Sequence, residues 1–329
     1  MGCNRPITVS DEEIKHAAAL LRGGKLVAFP TETVYGLGAN ALDAEAVARI
    51  FEVKGRPNTS PVIVHVSDLG MVASIAASWP PAARTLAEKF WPGPLTLVLP
   101  KSPAVSDIVT AGLQTVGVRM PAHRVALALI RAAKVPIAAP SANRFTELSP
   151  TNAEHVREGL GNRVDYILDG GPCEVGIEST VLLLADEIPV LLRPGGVSRQ
   201  QIQEVIGPVA TVDHALHGSH PAPGMHRRHY SPRTPVLLVE DGQVPQEGTG
   251  AYLQIRSAPK LTVSEVIRMP NKAGEYAASL YRVLHELDAK GYDWIAVEIP
   301  GVGTEWEAVL DRLRRASSTD PEHPRRENR

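Results

Sequence analysis

Short polar loops carry the residues of this sequence that are best suited to bind a ligand. We predict that each loop lies at the end of a buried strand, where open α/β sheets place their ligand sites. The loops are Thr31-Glu32-Thr33, Lys54-Gly55-Arg56-Pro57, Ser141-Ala142-Asn143, Glu178-Ser179-Thr180 and Arg193-Pro194-Gly195. Cations combined with hydroxyls and amides can hold a phosphorylated nucleotide beside a small polar molecule. One such loop alone is usually an ordinary turn or helix cap, but five on one sheet favour a binding site.

Standard nucleotide-binding and hydrolase motifs are missing from the sequence. Gly24-Lys25-Leu26 lacks the earlier glycine and the following Ser or Thr of a P-loop, and no predicted strand leads into G-x-G-x-x-G. H-E-x-x-H and G-x-S-x-G do not occur either. A histidine cluster lacks a carboxylate or thiol companion on a predicted rigid element, so we predict no protein-bound metal. Its members are His214, His217, His220, His226 and His229.

Hydrophobic periodicity predicts the elements that position these loops. Ser10 and Glu13 form a capping box that opens an amphipathic helix, and the apolar run at 26–29 predicts a strand buried on both faces. Further strands are predicted at 62–66, 95–99, 116–120, 137–139, 166–168, 181–184 and 190–192, and further helices at 43–55, 82–90, 124–133, 153–158 and 199–206. Strands outnumber helices and do not alternate with them one to one. The predicted fold class is therefore α/β, with a twisted, open, mixed sheet and flanking helices.

The length of the chain suggests two domains of unequal size. We assign 1–207 to the larger domain, which carries the polar loops. Periodicity disappears between 208 and 235 among Pro, Gly and His residues, which is typical of a linker. Residues 236–316 are predicted to form a smaller, parallel, Rossmann-like α/β domain, and 317–329 a disordered tail. The predicted strands of this domain are 236–239 and 294–299, and its predicted helices are 272–289 and 305–315.

Composition excludes several classes of protein. Of 329 residues, 43% are hydrophobic and 21% are charged, which is typical of a folded globular chain. The formal net charge of -2 gives no overall field that would attract nucleic acid or an anionic membrane. We expect a cytoplasmic protein, because no apolar run could cross a membrane and no secretory signal precedes the first helix. The cysteines, Cys3 and Cys173, are expected to be free thiols.

At the polar loops the sequence resembles the YrdC/Sua5 family, the threonylcarbamoyl-AMP synthases, in the longer Sua5 form with an added C-terminal domain. The resemblance spans roughly residues 10–315 and implies a YrdC-like first domain. It rests on PTETVYGLG at 30–38, KGRP at 54–57, PVIVHV at 61–66, FWPGPLTLVL at 90–99, SANRFTELSPT at 141–151, GGPCEVGIESTV at 170–181 and LRPG at 192–195. PGMHRRHYSP at 223–232 is similar to the Sua5 interdomain motif. The chain departs from the family pattern at His226, Arg227, Thr146 and Leu183.

The resemblance implies an enzyme, a nucleotidyltransferase that condenses L-threonine, bicarbonate or CO2, and ATP to threonylcarbamoyl-AMP and pyrophosphate. The carbamate of threonine is already anionic and attacks the α-phosphorus without a strong general base, so positioning and charge neutralisation should dominate. Mg2+ is expected to arrive with ATP. The product is expected to serve the t6A modification of tRNA, through handover to the tRNA threonylcarbamoyl-transfer machinery. No membrane contact and no stable nucleic-acid binding are expected.

Matching positions carry the family's site residues onto this chain. The resemblance places Thr33, His65, Arg119, Ser141 and Ser179 in the threonine site. It places Lys54, Arg56, Ser60, Thr115, Asn143, Thr151, Arg193 and Tyr230 in the ATP site, with Lys54 and Arg56 also assigned to catalysis. Arg119 suits a carboxylate, because its guanidinium can bind both oxygens, whereas Thr115 is placed by spacing alone. His65 has an alternative interpretation as a core histidine, and Cys173 is interpreted as packing.

We also predict that 223–232 forms a lid over the site of the first domain, with Arg228, His229 and Tyr230 as its contacting residues. A carbamoyl-adenylate is a mixed anhydride that water destroys. A segment that excludes solvent would therefore protect the product. The alternative is that the segment is a passive tether between the domains.

Two other functions stay open on the sequence alone. The first is an RNA-binding or ribosome-maturation factor, in which Lys54, Arg56, Arg119 and Arg193 on a concave face contact phosphates. The net charge of -2 and an aromatic content of only 5% weigh against it. The second keeps the fold but uses carbamoyl phosphate, as in maturation proteins with a similar domain. Those proteins carry acylphosphatase and zinc-finger modules that this sequence lacks.

Overall fold

The computed structural model describes residues 9–184, 188–212 and 230–318. Backbone packing divides the chain into two units, Met1–Phe145 with Ser149–Pro223 and Thr146–Leu148 with Gly224–Arg329. Within the described residues, no helix is long and apolar enough to cross a membrane. Cys3, the histidine cluster and the predicted lid before Tyr230 lie outside the described residues.

The structure of the first unit contains the predicted helices, with bounds close to the predicted ones, and two further helices. They are α1 (Asp11–Arg22), α2 (Ala44–Lys54), α3 (Leu69–Ile75), α4 (Pro81–Phe90), α5 (Asp107–Thr110), α6 (Arg124–Ala133), α7 (Ala153–Leu160) and α8 (Arg199–Ile206). The capping box of α1 is confirmed, because the Glu13 amide donates to the Ser10 hydroxyl and the Ser10 amide donates to the Glu13 carboxylate. Helix α2 ends at Gly55, whose φ of 63° lies in the left-handed region that glycine adopts without strain. The sequence did not predict α3 and α5.

A ten-stranded mixed sheet forms the centre of the first unit. Its strands are β1 (Val27–Phe29), β2 (Gly36–Asn40), β3 (Val64–His65), β4 (Leu95–Pro100), β5 (Thr115–Arg119), β6 (Ile137–Ala138), β7 (Tyr166–Ile167), β8 (Thr180–Leu183), β9 (Val190–Arg193) and β10 (Ala210–Thr211). Their order across the sheet is β10-β9-β8-β4-β5-β3-β6-β2-β1-β7. Parallel and antiparallel pairs both occur, so the predicted mixed sheet with flanking helices is confirmed.

Apolar clusters cover β1 on both of its faces. Val27 and Phe29 pack in one cluster with residues of α1 and α6, such as Leu21 and Leu129. Ala28, between them, belongs to the other cluster with residues of α2 and β3. Successive side chains of a strand point to opposite faces, so this division shows that the strand is buried on both sides, as its continuous apolar run predicted.

Strand β2 lies inside the sheet between β1 and β6, and it was not among the strands predicted from the sequence. Glycine is depleted in strands, which concealed it. The structure supplies the reason for one of its glycines. A Cβ at Gly38 would lie 2.8 Å from both the Phe29 ring and the Ile137 side chain. Glycine, which has no side chain, allows the Phe29 ring and the Ile137 side chain to pack directly against the backbone of β2.

The second unit is a smaller parallel α/β domain, as predicted. It contains β11 (Val236–Val239), β12 (Gly250–Gln254), β13 (Glu265–Arg268), α9 (Ala273–Asp288), β14 (Trp294–Glu298) and α10 (Glu307–Ser317). All pairings are parallel, and the strand order is β11-β14-β12-β13. Strands β12 and β13 were not predicted. β13 alternates half-buried and exposed residues at the edge of the sheet, and it lacks the continuous apolar run that marked β14.

Replacing Gly38 with alanine tests the packing of β2. We expect Gly38→Ala to lower the free energy of unfolding by about 1–3 kcal/mol, because the methyl group overpacks the space between Phe29 and Ile137. Gly159→Ala in α7 is the matched control, since no neighbouring atom lies within 4 Å of the added Cβ. The control should be neutral or raise stability by about 0.4–1 kcal/mol. Urea unfolding measures both, and equal effects would contradict the packing argument.

Candidate active site

Strand register brings several predicted site residues into one row across the sheet of the first unit. His65 at the end of β3 pairs with Arg119 at the end of β5. Strand β4 lies next to β5, and its Thr96 pairs with Val181 of β8, which in turn pairs with Arg193 at the end of β9. Paired residues on neighbouring strands project to the same face of a sheet. The register therefore gathers Arg119, His65 and Arg193 from distant parts of the chain.

The loops after β1 and β6 follow strands that run opposite to β3 and β5. β6 is antiparallel to β3, β2 is antiparallel to β6, and β1 is antiparallel to β2. β1 and β6 therefore run opposite to β3 and β5, so their loops leave the sheet at the edge opposite to the ends of β3 and β5 that carry His65 and Arg119. The loop after β1 instead folds back, because Glu32 and Thr33 both contact Arg119.

Arg119 is the centre of the best-defined cluster. It is 3% exposed, its Nη1 donates to the Thr33 hydroxyl at 3.0 Å, and its Nε donates to the Gly93 carbonyl at 3.2 Å. Its Nη2 lies 2.7 Å from Glu32 Oε1, as an ion pair. Thr31 holds this loop in a tight turn, since its hydroxyl donates to the Val34 carbonyl at 2.6 Å. Thr33 and Arg119 thus meet, as the resemblance implied, and Glu32 joins them.

His65 is buried beside Arg119, and its ring packs edge-on against Phe29 with the ring centroids 6.1 Å apart. Burial, followed by the positive charge of Arg119, lowers the pKa of His65 to about 3. The imidazole is therefore neutral at physiological pH. Its Nδ1 has no hydrogen-bond partner among the described residues. A neutral ring with a free nitrogen can contact a ligand but does not add charge to the site.

Lys54 is buried at the end of α2, with its ammonium directed at the loop that follows β6. Nζ donates to the Ser141 carbonyl at 2.6 Å, the Asn143 carbonyl at 2.5 Å and Asn143 Oδ1 at 3.3 Å. The loop is tied in turn to the first polar loop, because the Ala142 amide donates to the Tyr35 carbonyl at 2.8 Å. Lys54, Ser141 and Asn143 therefore lie together, and the ammonium fixes the shape of the 141–143 loop.

Arg56 and Ser60 form a second cationic corner. Arg56 Nη2 donates to the Pro61 carbonyl at 2.8 Å and to the Ser60 carbonyl at 3.3 Å. The Ser60 hydroxyl is buried and has no hydrogen-bond partner among the described residues. A buried hydroxyl without a partner costs free energy unless a ligand uses it. Arg56 and Ser60 are therefore close together, as their proposed common role requires.

Arg193 and Ser179 meet at the start of β8. Arg193 donates to the Ser179 carbonyl from Nε at 3.1 Å and from Nη2 at 2.9 Å, and Nη2 also donates to the Ser179 hydroxyl at 3.2 Å. The same hydroxyl lies 2.8 Å from the hydroxyl of Thr96. Thr96, which the sequence analysis did not single out, is therefore a direct neighbour of the predicted threonine site. Its only signal in the sequence was a polar residue inside an apolar strand.

Thr115 and Thr151 are the other two residues of the first unit that are predicted for the ATP site. Thr115 begins β5 while Arg119 ends it, so the two are separated by about 13 Å along the strand. Thr151 is buried beside α7, where its hydroxyl lies 3.4 Å from His155 Nδ1 and its carbonyl accepts from the Cys173 amide at 2.8 Å. The structure does not bring Thr115 to the row formed by His65 and Arg119.

Tyr230 is buried within the second unit. Its ring centroid lies 5.9 Å from that of Tyr281, and the Arg312 guanidinium carbon lies 5.1 Å above it. Its φ of 59° lies in the left-handed region, which is unusual for a residue with a side chain. Arg228 and His229 precede the described residues, so the lid stays a prediction.

Buried charge is concentrated in the polar loops and in the row. In the described part of the first unit, the buried Lys, Arg and carboxylate side chains are Glu32, Lys54, Arg56, Arg119, Glu178 and Arg193. Cations exceed carboxylates, which favours an anionic ligand. No group of three or more metal-ligating side chains occurs among residues 9–184, 188–212 and 230–318.

The fold and this cluster define an α/β protein with a mixed sheet and buried cations that suit a small anionic ligand. Two family profiles match the chain. Sua5_yciO_yrdC, described as telomere recombination, matches residues 19–195, and the C-terminal domain of threonylcarbamoyl-AMP synthase matches residues 197–318. The chain belongs to the threonylcarbamoyl-AMP synthase family, in the Sua5 form that carries both domains, which confirms the resemblance.

Curated relatives are similar over nearly the whole chain. The threonylcarbamoyl-AMP synthase of Pyrococcus abyssi is 44% identical, over 94% of this chain and 95% of the relative. That of Bacillus subtilis is 44% identical, over 94% of both chains. Among solved structures, the crystal structure of P. abyssi Sua5 complexed with L-threonine has a TM-score of 0.88 and 41% identity, covering 94% of this chain and 95% of that one.

The low pKa of His65 predicts a pH-dependent stability. In the unfolded chain the imidazole binds a proton below about pH 6.5, whereas in the folded protein its pKa is about 3. The stabilisation is therefore present above pH 6.5 and is lost as the pH falls toward 3. Relative to His65→Gln, we expect the natural protein to lose up to about 1.4 kcal/mol per pH unit below pH 6.

Urea unfolding at pH 7.5, 5.5 and 4.5 measures this difference. The exposed His16 on α1 provides the control, and His16→Gln should show a much smaller change with pH. A constant difference in stability between the natural protein and His65→Gln would show that His65 is not held neutral by the fold.

Proposed function

We propose that this protein is an L-threonylcarbamoyladenylate synthase, which condenses L-threonine, bicarbonate or CO2, and ATP to threonylcarbamoyl-AMP and pyrophosphate. The observation that carries the proposal is the buried Arg119, with Thr33, Glu32 and His65 around it. The relatives named threonylcarbamoyl-AMP synthase, and the related Sua5 crystallised with L-threonine, support this assignment. The product would supply the t6A modification of tRNA.

In this proposal Arg119 binds the carboxylate of threonine. The guanidinium is positioned by the Gly93 carbonyl and the Thr33 hydroxyl, so little side-chain entropy is lost when the substrate binds. The hydroxyls of Thr33 and Ser179 and the neutral ring of His65 supply uncharged partners for the substrate hydroxyl. A site in which the charge of Arg119 is balanced by Glu32 and the other groups are neutral favours an amino acid with a small polar side chain over one with a charged side chain.

ATP would bind where the remaining cations lie. Arg56 and Arg193 are assigned to its phosphates, and Ser60 and Asn143 to neutral contacts with the nucleotide. Lys54 donates to the carbonyls of the 141–143 loop, so its proposed contribution includes fixing Asn143 as well as adding positive charge. Mg2+ would enter as part of the substrate, bound to the phosphates that leave as pyrophosphate.

The reaction then depends mainly on positioning. The ammonium of threonine loses a proton to solvent, and the free amine adds to CO2 and loses a second proton, which gives a carbamate. One carbamate oxygen attacks the α-phosphorus of ATP while pyrophosphate leaves. The nucleophile is already anionic, so the protein needs no strong base. Its task is to hold two anions together, and buried cations of fixed geometry reduce the electrostatic cost. Burial also keeps water away from the mixed anhydride that forms.

Omitting one substrate at a time tests the proposed function. We expect pyrophosphate release only when ATP, L-threonine and bicarbonate are all present, because the nucleophile exists only after carbamate formation. L-Serine lacks one methyl group and should be a poorer substrate by about 1–3 kcal/mol in kcat/KM. Release at full rate without threonine would exclude the proposed reaction. Substitution of carbamoyl phosphate for threonine and bicarbonate tests the alternative that keeps the fold.

Variants of two arginines should separate the substrate sites. Arg119→Lys keeps the charge beside Glu32 but loses the fork that binds both carboxylate oxygens, so the threonine KM should rise about 10- to 100-fold. Arg56→Ala should instead weaken ATP binding and lower kcat. Calorimetry with each substrate distinguishes these effects. If Arg119→Lys lost ATP affinity and kept threonine affinity, the two assignments would have to be exchanged.

A further inference from the structure

Glu32 has an unusual environment for a buried carboxylate. Its side chain is 6% exposed, and neither of its oxygens accepts a hydrogen bond from the described residues. Arg119 Nη2 lies 2.7 Å from Oε1, but it is not aligned as a hydrogen bond, and this nitrogen also lacks a hydrogen-bond partner among the described residues. Both members of the ion pair therefore keep hydrogen-bonding capacity that the fold does not use.

Another buried carboxylate shows what a purely structural role looks like. Glu298 in the second unit is 1% exposed, and it accepts hydrogen bonds from the amides of Ile255, Arg256 and Ser257 at 2.6–3.0 Å. It fixes the loop after β12 and its oxygens are satisfied. Leaving a buried acceptor without donors costs free energy, and for a charged group the cost is larger. The burial of Glu32 therefore costs free energy that hydrogen bonds like those of Glu298 would offset.

The groups next to Glu32 do not supply a second positive charge. Burial lowers the pKa of His123, which leaves its ring neutral near pH 7. Burial, together with the charge of Glu32, raises the pKa of the Cys173 thiol, which therefore stays protonated. Arg119 is the counter-charge of Glu32 within the described residues. The pair thus presents one negative and one positive group side by side, both with unused hydrogen-bonding positions.

This arrangement is complementary to an α-amino acid. Such a molecule carries an ammonium and a carboxylate on the same carbon, so its two charges match the two members of a contact ion pair. We propose that Glu32 binds the α-nitrogen of the substrate while Arg119 binds its carboxylate. The inference rests on the proposed function, which makes L-threonine the substrate. The inference adds a residue that recognises the α-nitrogen, which is the atom at which the carbamate forms.

The contact lasts through the reaction. The ammonium loses two protons to solvent as it becomes a carbamate, and the one N–H that remains donates a hydrogen bond to Glu32, so the substrate is held at the same atom before and after CO2 is added. Because the carboxylate of Glu32 and the new carbamate oxygens repel each other, the oxygens turn away from Glu32. The contact therefore orients the nucleophile as well as selecting an amine.

Two probes separate this role from a merely electrostatic one. L-Threonine has the α-nitrogen, whereas (R)-3-hydroxybutyrate has the same carboxylate, hydroxyl and methyl group without it. Calorimetry with the full chain measures both affinities for the natural protein, Glu32→Gln and Asp107→Asn. Asp107 is an exposed carboxylate in a surface ion pair with Lys101, so its amide variant is a matched control. Thermal unfolding checks that each variant folds.

We expect Glu32→Gln to weaken L-threonine binding roughly 10- to 100-fold and to leave (R)-3-hydroxybutyrate binding unchanged or tighter. Asp107→Asn should bind both probes as the natural protein does. Equal losses for both probes would show that Glu32 acts only by orienting Arg119, and an unchanged threonine affinity would show that it does not contact the nitrogen. Either result overturns the inference.

Measurements on the natural protein decide the matter even if Glu32→Gln does not fold. L-Threonine should then bind at least roughly 10-fold more tightly than (R)-3-hydroxybutyrate, and equal affinities would exclude a contact to the nitrogen. The outcome is distinct from failure of the proposed function. If only the proposed function failed, the natural protein would bind threonine and discriminate against the analogue, yet release no pyrophosphate with ATP and bicarbonate.

Discussion

Buried positive charge is the constraint on which the site of this protein depends. A cation removed from water needs hydrogen-bond acceptors, and here loop carbonyls supply them. Lys54 donates to the carbonyls of Ser141 and Asn143, and Arg56 donates to that of Pro61. Arg193 donates to the carbonyl of Ser179, and Arg119 to that of Gly93. Each cation therefore fixes the conformation of the loop that surrounds it. The same side chains that can attract an anion also hold the loops of the site in place.

The mixed sheet determines which of these cations are neighbours. Parallel pairing of β3 with β5 places His65 beside Arg119, while the antiparallel pair of β8 and β9 brings Arg193 close to Ser179. A purely parallel sheet would place its loops at one edge through the carboxyl ends of the strands. In this sheet, β1 runs the opposite way, and its loop must return across the sheet to contact Arg119. The tight turn made by Thr31 allows that return.

Glu32 connects this architecture with specificity. In the sequence Glu32 is one member of a polar loop with no sign of a particular role. Its lack of hydrogen-bond donors is a property of the folded surroundings among the described residues. A carboxylate in this position is costly for the folded protein in the absence of a bound amine. Such costs are common at binding sites, where part of the stability of the fold is given up for selective recognition.

Local features were determined by the sequence itself. The helix caps at Ser10 and Asp43, the continuous apolar run of β1 and the mixed α/β class follow from side-chain chemistry and periodicity, which act over a few residues. The motifs identified the family, and through that resemblance they assigned residues such as Arg119, Thr33, Lys54 and Asn143 to the site from sequence alone. Glycine-rich β2 escaped detection, because the reason for Gly38 lies in Phe29 and Ile137, which are distant in sequence.

Only the tertiary structure decided which side chains meet. Sequence spacing assigned Thr115 to the ATP site and the resemblance assigned Arg119 to the threonine site, and the structure places the two at opposite ends of β5. Thr96 looked like an ordinary strand residue, yet the pairing of β4 with β8 brings it to Ser179. Strand direction, register and the satisfaction of buried charge depend on contacts between distant segments. A linear pattern predicts the strands but does not determine how they pair. The sequence therefore indicated which residues belong to the site but not which of them are in contact.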